Sequence, residues 1–273
     1  MKLLRSIRIV LSVMLMASAV AWWLTGRVEN VPATLALRLQ IIPSALGVTI
    51  GATAFWLVVT FVVGRFYCST VCPLGTLQDL SLWGGRLMRR RSRELRYMHP
   101  SRLRWQVLLV YVISLLAGLL AVGCLVEPWS VMSGAASIFR DTGAYWARLG
   151  VNAFFGICSS VAVVIAVAVW AFFSGRRFCT EICPIGSVLG AVSERSIYHI
   201  EIDPDRCTSC MRCEEVCPSH CVKVVSRYVD NSRCVRCLDC MAECPDDAIR
   251  LQRDRNRRRT PLMQRRQAAK NTF

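Results

Sequence analysis

The chain has 273 residues, 54% of them hydrophobic and only 19% charged, with a mean hydropathy of +0.40. The charged share lies below the roughly 25% of a typical soluble domain, which excludes a disordered chain and argues against an ordinary soluble enzyme. A net charge of +16 suggests either nucleic acid or an anionic membrane surface.

The position of the charges decides between these two. Residues 9–26, 39–64, 105–126 and 149–175 carry no charged side chain. Each run is near or above the roughly 18–20 residues needed to cross about 30 Å of hydrocarbon, and the pattern predicts four transmembrane helices. The first run has a second reading as a signal peptide, with Lys2, Arg5 and Arg8 ahead of it and Ala17-Ser18-Ala19 as a cleavage site. Its continuation through Trp22, Trp23 and Leu24 favours an uncleaved anchor. Nine arginines between residues 65 and 104 face Asp79 and Glu94, whereas residues 27–40 and 127–148 are nearly balanced. The positive-inside rule then places both termini in the cytoplasm of a bacterial inner-membrane protein. The basic balance is mostly this topogenic signal, and no nucleic-acid partner is expected. The basic tail from Arg253 onward reads as a disordered segment able to lie on anionic membrane lipid.

The membrane part is duplicated. Gly64-Arg65-Phe66-Tyr67-Cys68-Ser69-Thr70-Val71-Cys72-Pro73-Leu74-Gly75 aligns without a gap with Gly175-Arg176-Arg177-Phe178-Cys179-Thr180-Glu181-Ile182-Cys183-Pro184-Ile185-Gly186. Each copy of GRxxCxxxCPxG follows a pair of predicted spans, so both copies face the same side, as in parallel repeats. Cysteines at i and i+4 share one side of a helical turn, and Pro73 and Pro184 would end or redirect it. Cys68, Cys72, Cys179 and Cys183 are therefore expected to form a redox or metal site, an all-sulfur set suited to iron–sulfur, zinc or cuprous ions. A redox-active dithiol pair and thiols that only fix the helix ends are the competing roles.

The most specific signal follows. Cys207, Cys210, Cys213 and Cys217-Pro218 spell C-x2-C-x2-C-x3-C-P, and Cys234, Cys237, Cys240 and Cys244-Pro245 spell it a second time. In two-cluster ferredoxins the fourth cysteine crosses to the other cluster. The expected ligand sets are Cys207, Cys210, Cys213 and Cys244 for one 4Fe–4S cluster, and Cys234, Cys237, Cys240 and Cys217 for the second. Short strands are expected around Val222–Val225 and Tyr228, and a short helix leading into a strand from Asp246. Cys221 reads as a packed or spare thiol, and Cys124 and Cys158 as apolar packing in their helices, with an outer-face disulfide as the second reading. His99, His199 and His220 lie outside the predicted spans, and no nucleotide-binding motif is present.

The fold class expected is an α-helical membrane domain, four transmembrane helices in two parallel hairpin repeats, plus a small α+β ferredoxin-like domain carrying two 4Fe–4S clusters. The boundaries are 1–195 for the helical part, 196–252 for the ferredoxin unit and 253–273 for the tail. Together the motifs resemble the polyferredoxin-type membrane iron–sulfur proteins, the family of NapH, MauN and NosR, over roughly residues 1–250. The resemblance implies membrane electron transfer between quinol, or a cytoplasmic donor, and another redox protein within a membrane oxidoreductase complex. It also implies an alternative role as an assembly factor that supplies electrons to a metal or disulfide of a client enzyme.

Overall fold

The computed structural model describes residues 2–25, 50–88, 95–118, 126–137 and 151–253. The helical part opens with α1 (Lys2–Thr25) and continues with α2 (Ile50–Val63), α3 (Tyr67–Thr70), α4 (Pro73–Met88), α5 (Leu103–Leu116) and α6 (Pro128–Ala136). Helices α7 (Val151–Ser174), α8 (Arg177–Glu181) and α9 (Pro184–Ser193) complete it. Among the described residues two helical stretches, Leu3–Ala21 and Phe155–Ser174, are long and apolar enough to cross a membrane. The second and third predicted spans lie only partly within the described residues, as α2 and α5, and Cys124 lies outside them. Cys158 is exposed on α7 rather than packed inside the chain, because it sits on the face turned away from α4 and α6.

Helix α7 is the central post, packed along α4 and α6. The approach to α4 is close because Gly85 has no side chain: a Cβ there would stand 2.5 Å from the Phe172 carbonyl oxygen. A buried cluster around Trp23, Trp56, Tyr67, Leu74, Val167 and Leu189 holds the helices together, with Trp56 edge-on to Tyr67 at 5.1 Å between ring centroids.

The ferredoxin unit is built from β1 (Tyr198–Ile202), α10 (Arg212–Glu215), β2 (Val222–Lys223), β3 (Tyr228–Val229), α11 (Asp239–Glu243) and β4 (Ile249–Arg253). Strands β1 and β4 pair antiparallel, with Tyr198 opposite Arg253 and Ile202 opposite Ile249, so the chain enters and leaves the unit through one ribbon. Strands β2 and β3 form a second antiparallel pair. Among the described residues no helix follows Cys244. Asp247 takes a left-handed φ of 47° and the chain turns directly into β4, because the strand begins at Ile249, too soon after Cys244 for a helical turn to fit.

The unit is seated on the helical part by polar contacts. Ile197 N–H donates to the Phe61 carbonyl at 2.8 Å and Arg236 Nε donates to the Val63 carbonyl at 2.9 Å. His220 bridges the Arg96 and Ser174 carbonyls at 2.8 and 2.9 Å. Arg65, Arg176, Arg233 and Arg236 are among the largest fully buried side chains. Burying a guanidinium is costly unless its donors are filled; Arg65 fills one on the Ser232 carbonyl and Arg236 on the Val63 carbonyl, so these two lock the parts together.

Candidate functional site

Each position of the duplicated motif has a physical reason. Gly64 and Gly175 have φ of +95° and +65°, and a Cβ there would press on Arg236 Nε and on the Pro218 carbonyl of the ferredoxin unit. The motif glycine is thus where the helical part touches the cluster-binding loops. The next residue crosses to the other repeat: Arg65 donates to the Cys179 carbonyl and Arg176 to the Cys68 carbonyl, both at 2.7 Å. This reciprocity joins the two copies. The first cysteine of each copy sits in a short helix, α3 or α8. The proline starts the next helix at its first turn, where the missing N–H costs nothing. The last glycine, Gly75 or Gly186, lies against the carbonyl of Cys68 or Cys179, leaving no room for a Cβ.

The four cysteines of these motifs are brought together. Cys68, Cys72, Cys179 and Cys183 are buried to within 4% of full exclusion. Burial, followed by the neighbouring thiols Cys179, Cys68 and Cys183, pushes the Cys72 thiol well above its ordinary range. Arg65 Nη2 stands 4.0 Å from Cys68 Sγ. Arg176 also holds Asp79, at 2.6 Å from its Nε. Burial alone would raise the Asp79 carboxyl, but the guanidinium of Arg176, aided by that of Arg8, holds it below the usual carboxylate range. Among the described residues no three His, Cys, Asp or Glu side chains converge on the position of a single metal ion.

The eight ferredoxin cysteines surround two voids. One is walled by Cys207, Cys210, Cys213 and Cys244, the other by Cys234, Cys237, Cys240 and Cys217. The fourth thiol of each wall comes from the other half of the repeat, so neither void can form without both halves. The backbone repeats as well. Ser209 and Arg236, Met211 and Leu238, and His220 and Asp247 occupy equivalent places in the two halves, and all six have positive φ. Left-handed backbone in a residue with a side chain costs on the order of 1–3 kcal/mol. Its recurrence at matched positions marks loops shaped to turn N–H groups toward an anionic group. Spacing alone could not show these positions, since none is glycine.

The two voids differ in surroundings. In the first, Cys210 is exposed and Cys207 and Cys244 are half-buried; in the second, all four cysteines are buried. The second also has cations beside it: Arg236 and Arg65 act on Cys234, and Arg176 on Cys237. It therefore lies against the helical part, next to the CxxxCP thiols. Cys221 also lines the second void, and its Sγ stands 3.5 Å from Cys217 Sγ. Hydrogen bonding from Cys221 is the leading cause that lowers the Cys217 and Cys234 thiols. Read from the sequence as a packed or spare thiol, Cys221 is packed, and its packing partners are two cysteines of the wall. Its spacing after Cys217 carried no such signal.

Comparison with known proteins matches this geometry. A family model described as a 4Fe-4S dicluster domain covers residues 175–221, and models described as 4Fe-4S binding domains cover residues 45–92 and 227–250. The chain is a polyferredoxin-type 4Fe–4S protein. It is 26% identical over 179 residues to the ferredoxin-type protein NapH of Escherichia coli, covering 65% of this chain and 55% of NapH. NapH of Haemophilus influenzae is 29% identical, over 65% of this chain and 55% of that protein. The methylamine utilization ferredoxin-type protein MauN of Paracoccus denitrificans is 26% identical, over 64% of this chain and 56% of MauN. The chain thus spans about half the length of the curated relatives it matches. No solved structure matches it. The polyferredoxin-type protein carries 4Fe–4S clusters, and the four soft thiols on each void, set among apolar side chains, are the donor set such a group takes.

Proposed function

We propose that the chain is a membrane-bound electron carrier that exchanges electrons between a membrane quinol, or a cytoplasmic donor, and a redox partner complex. In this reading Cys207, Cys210, Cys213 and Cys244 hold one 4Fe–4S cluster and Cys234, Cys237, Cys240 and Cys217 hold the other. The observation that carries it is the pair of voids, each lined by a quartet whose fourth cysteine comes from the other half of the repeat. When bound, each cluster takes up or gives one electron at a potential set by charge, hydrogen bonds and solvent. The protein's residues supply those settings. Arg65, Arg176 and Arg236 bring buried positive charge to the inner quartet, and the left-handed loops aim backbone donors. The exposed edge of the first quartet at Cys210 is where a redox partner would approach, and the buried second quartet faces the helices. The four charge-free runs span the inner membrane with both termini and the ferredoxin unit, residues 196–252, in the cytoplasm.

A second reading is an assembly factor that reduces a metal or disulfide of a client enzyme. The buried grouping of Cys68, Cys72, Cys179 and Cys183 beside the inner quartet favours it, since these thiols could reduce a client's metal or disulfide and the disulfide they would then form lies beside an electron source that restores them. The test is anaerobic purification of full-length protein and of a Cys68→Ser, Cys179→Ser variant, with iron, sulfide and thiol titration. The carrier reading expects clusters that quinol or a partner reduces in both proteins. Clusters inert to every such donor would refute it, and loss of client activity in the variant with its clusters still reducible would establish the second reading.

A further inference from the structure

We propose that the cavity between α1, α4 and the ferredoxin unit is the docking site of a membrane quinol or quinone. The proposal rests on the carrier reading above and locates where its lipid-soluble partner binds. The cavity has a volume of about 570 Å³, within the roughly 300–1,000 Å³ of small-molecule sites. It has two chemically different ends. Ile9, Val13, Leu80 and Trp83 form an apolar wall, and they are 41%, 55%, 60% and 62% exposed. Because α1 carries a stretch long and apolar enough to cross a membrane, that wall is continuous with the surface lipid chains would cover.

The other end is polar and carries Arg5, Arg8, Arg86, Asp79 and Asp239. Arg8 is 5% exposed, yet its Nε has no hydrogen-bond partner among the described residues. A buried donor left empty costs roughly 1–3 kcal/mol or more, so this end is built to receive an acceptor oxygen. The Asp79 carboxylate, held charged by Arg176 and Arg8, offers an acceptor beside it. Pro218 and Asp239, the neighbours of Cys217 and Cys240, also line the cavity. Its polar end therefore abuts the inner quartet.

A ligand that meets all of this has an apolar tail, a ring oxygen that both donates and accepts, and electrons to exchange. A phospholipid would fill the apolar wall, but Arg5, Arg8 and Arg86 are already engaged by Asp239, Asp79 and the Val216 carbonyl, so its phosphate would have to displace those acceptors, and it has no electrons to give. A quinol hydroxyl can donate to Asp79, and after oxidation the same oxygen, now a carbonyl, can accept from Arg8. In that direction the two O–H bonds break, both protons pass to water at the polar end, and two electrons leave the ring. One electron goes to each of the two 4Fe–4S clusters; the reverse reaction reduces a quinone.

The test uses full-length protein in nanodiscs, with duroquinol as reductant and an azido-benzoquinone as photolabel. Val13→Trp fills the apolar wall and leaves every charge in place; Arg8→Gln removes the empty donor together with a charge that acts on Cys237, so its cluster potentials are titrated alongside the rates. Cluster reduction by dithionite, followed by electron paramagnetic resonance, reports folding and cluster content independently. The expected result is unchanged reduction by dithionite, at least a tenfold slower reduction by duroquinol in both variants, and photolabel on residues 5–16 or 76–86. Unchanged duroquinol rates in both variants, or label confined to other segments, would overturn the cavity while leaving the carrier reading intact. So would a phospholipid that occupies the cavity in native mass spectrometry and is not displaced by the quinone. Wild-type clusters that no quinol reduces but a cytoplasmic donor does would remove the quinol itself and the cavity's role with it.

Discussion

Cys221 shows how one side chain can set apart two otherwise equivalent sites. The first void has no counterpart to it: the residue equivalent to Cys221 in the second half of the repeat is Ala248. A thiol that donates to the sulfurs of Cys217 and Cys234 stabilises the more negative, reduced state of a cluster. Cys221→Ala should therefore shift the potential of the second cluster to a more negative value and leave the first unchanged, while Cys221→Ser restores part of the difference. A redox titration followed by electron paramagnetic resonance measures both. Equal shifts in both clusters would show a structural effect only. Asp79 is a second case. Asp79→Asn leaves Arg176 fully buried without its carboxylate. Breaking a buried pair costs about 3–5 kcal/mol, and the lower end applies because the Asp79 side chain is 30% exposed. Thermal unfolding of the detergent-solubilised protein measures the loss. Because the folded-state carboxyl lies below its ordinary value, its stabilisation is complete above about pH 4 and is lost as the pH falls through the depressed value. Wild type and variant should converge in strong acid.

At the scale of elements, the repeated GRxxCxxxCPxG turn does three things in one short stretch of chain. It ends one helix, starts the next and binds the other repeat. Gly186→Ala would drive a Cβ into the Cys179 carbonyl, and overpacking of that kind costs about 1–3 kcal/mol. Gly84→Ala, where a Cβ meets nothing within 4 Å, should instead stabilise α4 by about 0.5–1 kcal/mol. Thermal unfolding of the two variants against wild type gives the contrast, and equal effects would mean the motif glycine has no special place. Much of this element was legible in the sequence. The duplication pointed to a paired turn, and the cysteine spacing gave the quartets that wall the two voids. The crossing of Arg65 and Arg176 was not legible, because a contact between positions so far apart in the chain depends on how the two copies dock. The helix expected after Asp246 failed for a local reason: the ribbon of β1 and β4 has to begin at Ile249. The left-handed residues carried no glycine to announce them.

At the scale of the molecule, the arrangement orders the parts from solvent inward. The exposed quartet comes first, then the buried quartet, then the CxxxCP thiols and the amphipathic cavity at α1. Such an order suits electrons moving between a soluble partner and a lipid-soluble one. Reporter fusions at Phe273 test the accompanying topology: a fluorescent protein there should mature in the cytoplasm, and an active periplasmic phosphatase fusion would reverse the orientation. The most direct measurement is low-temperature electron paramagnetic resonance of anaerobically prepared, reduced full-length protein, alongside Cys217→Ser and Cys244→Ser variants. The account predicts two interacting 4Fe–4S signals in the wild type. Cys217→Ser should weaken only the cluster of Cys234, Cys237 and Cys240, and Cys244→Ser only that of Cys207, Cys210 and Cys213. Iron-free wild-type protein, or each substitution acting on its own half of the repeat, would contradict it.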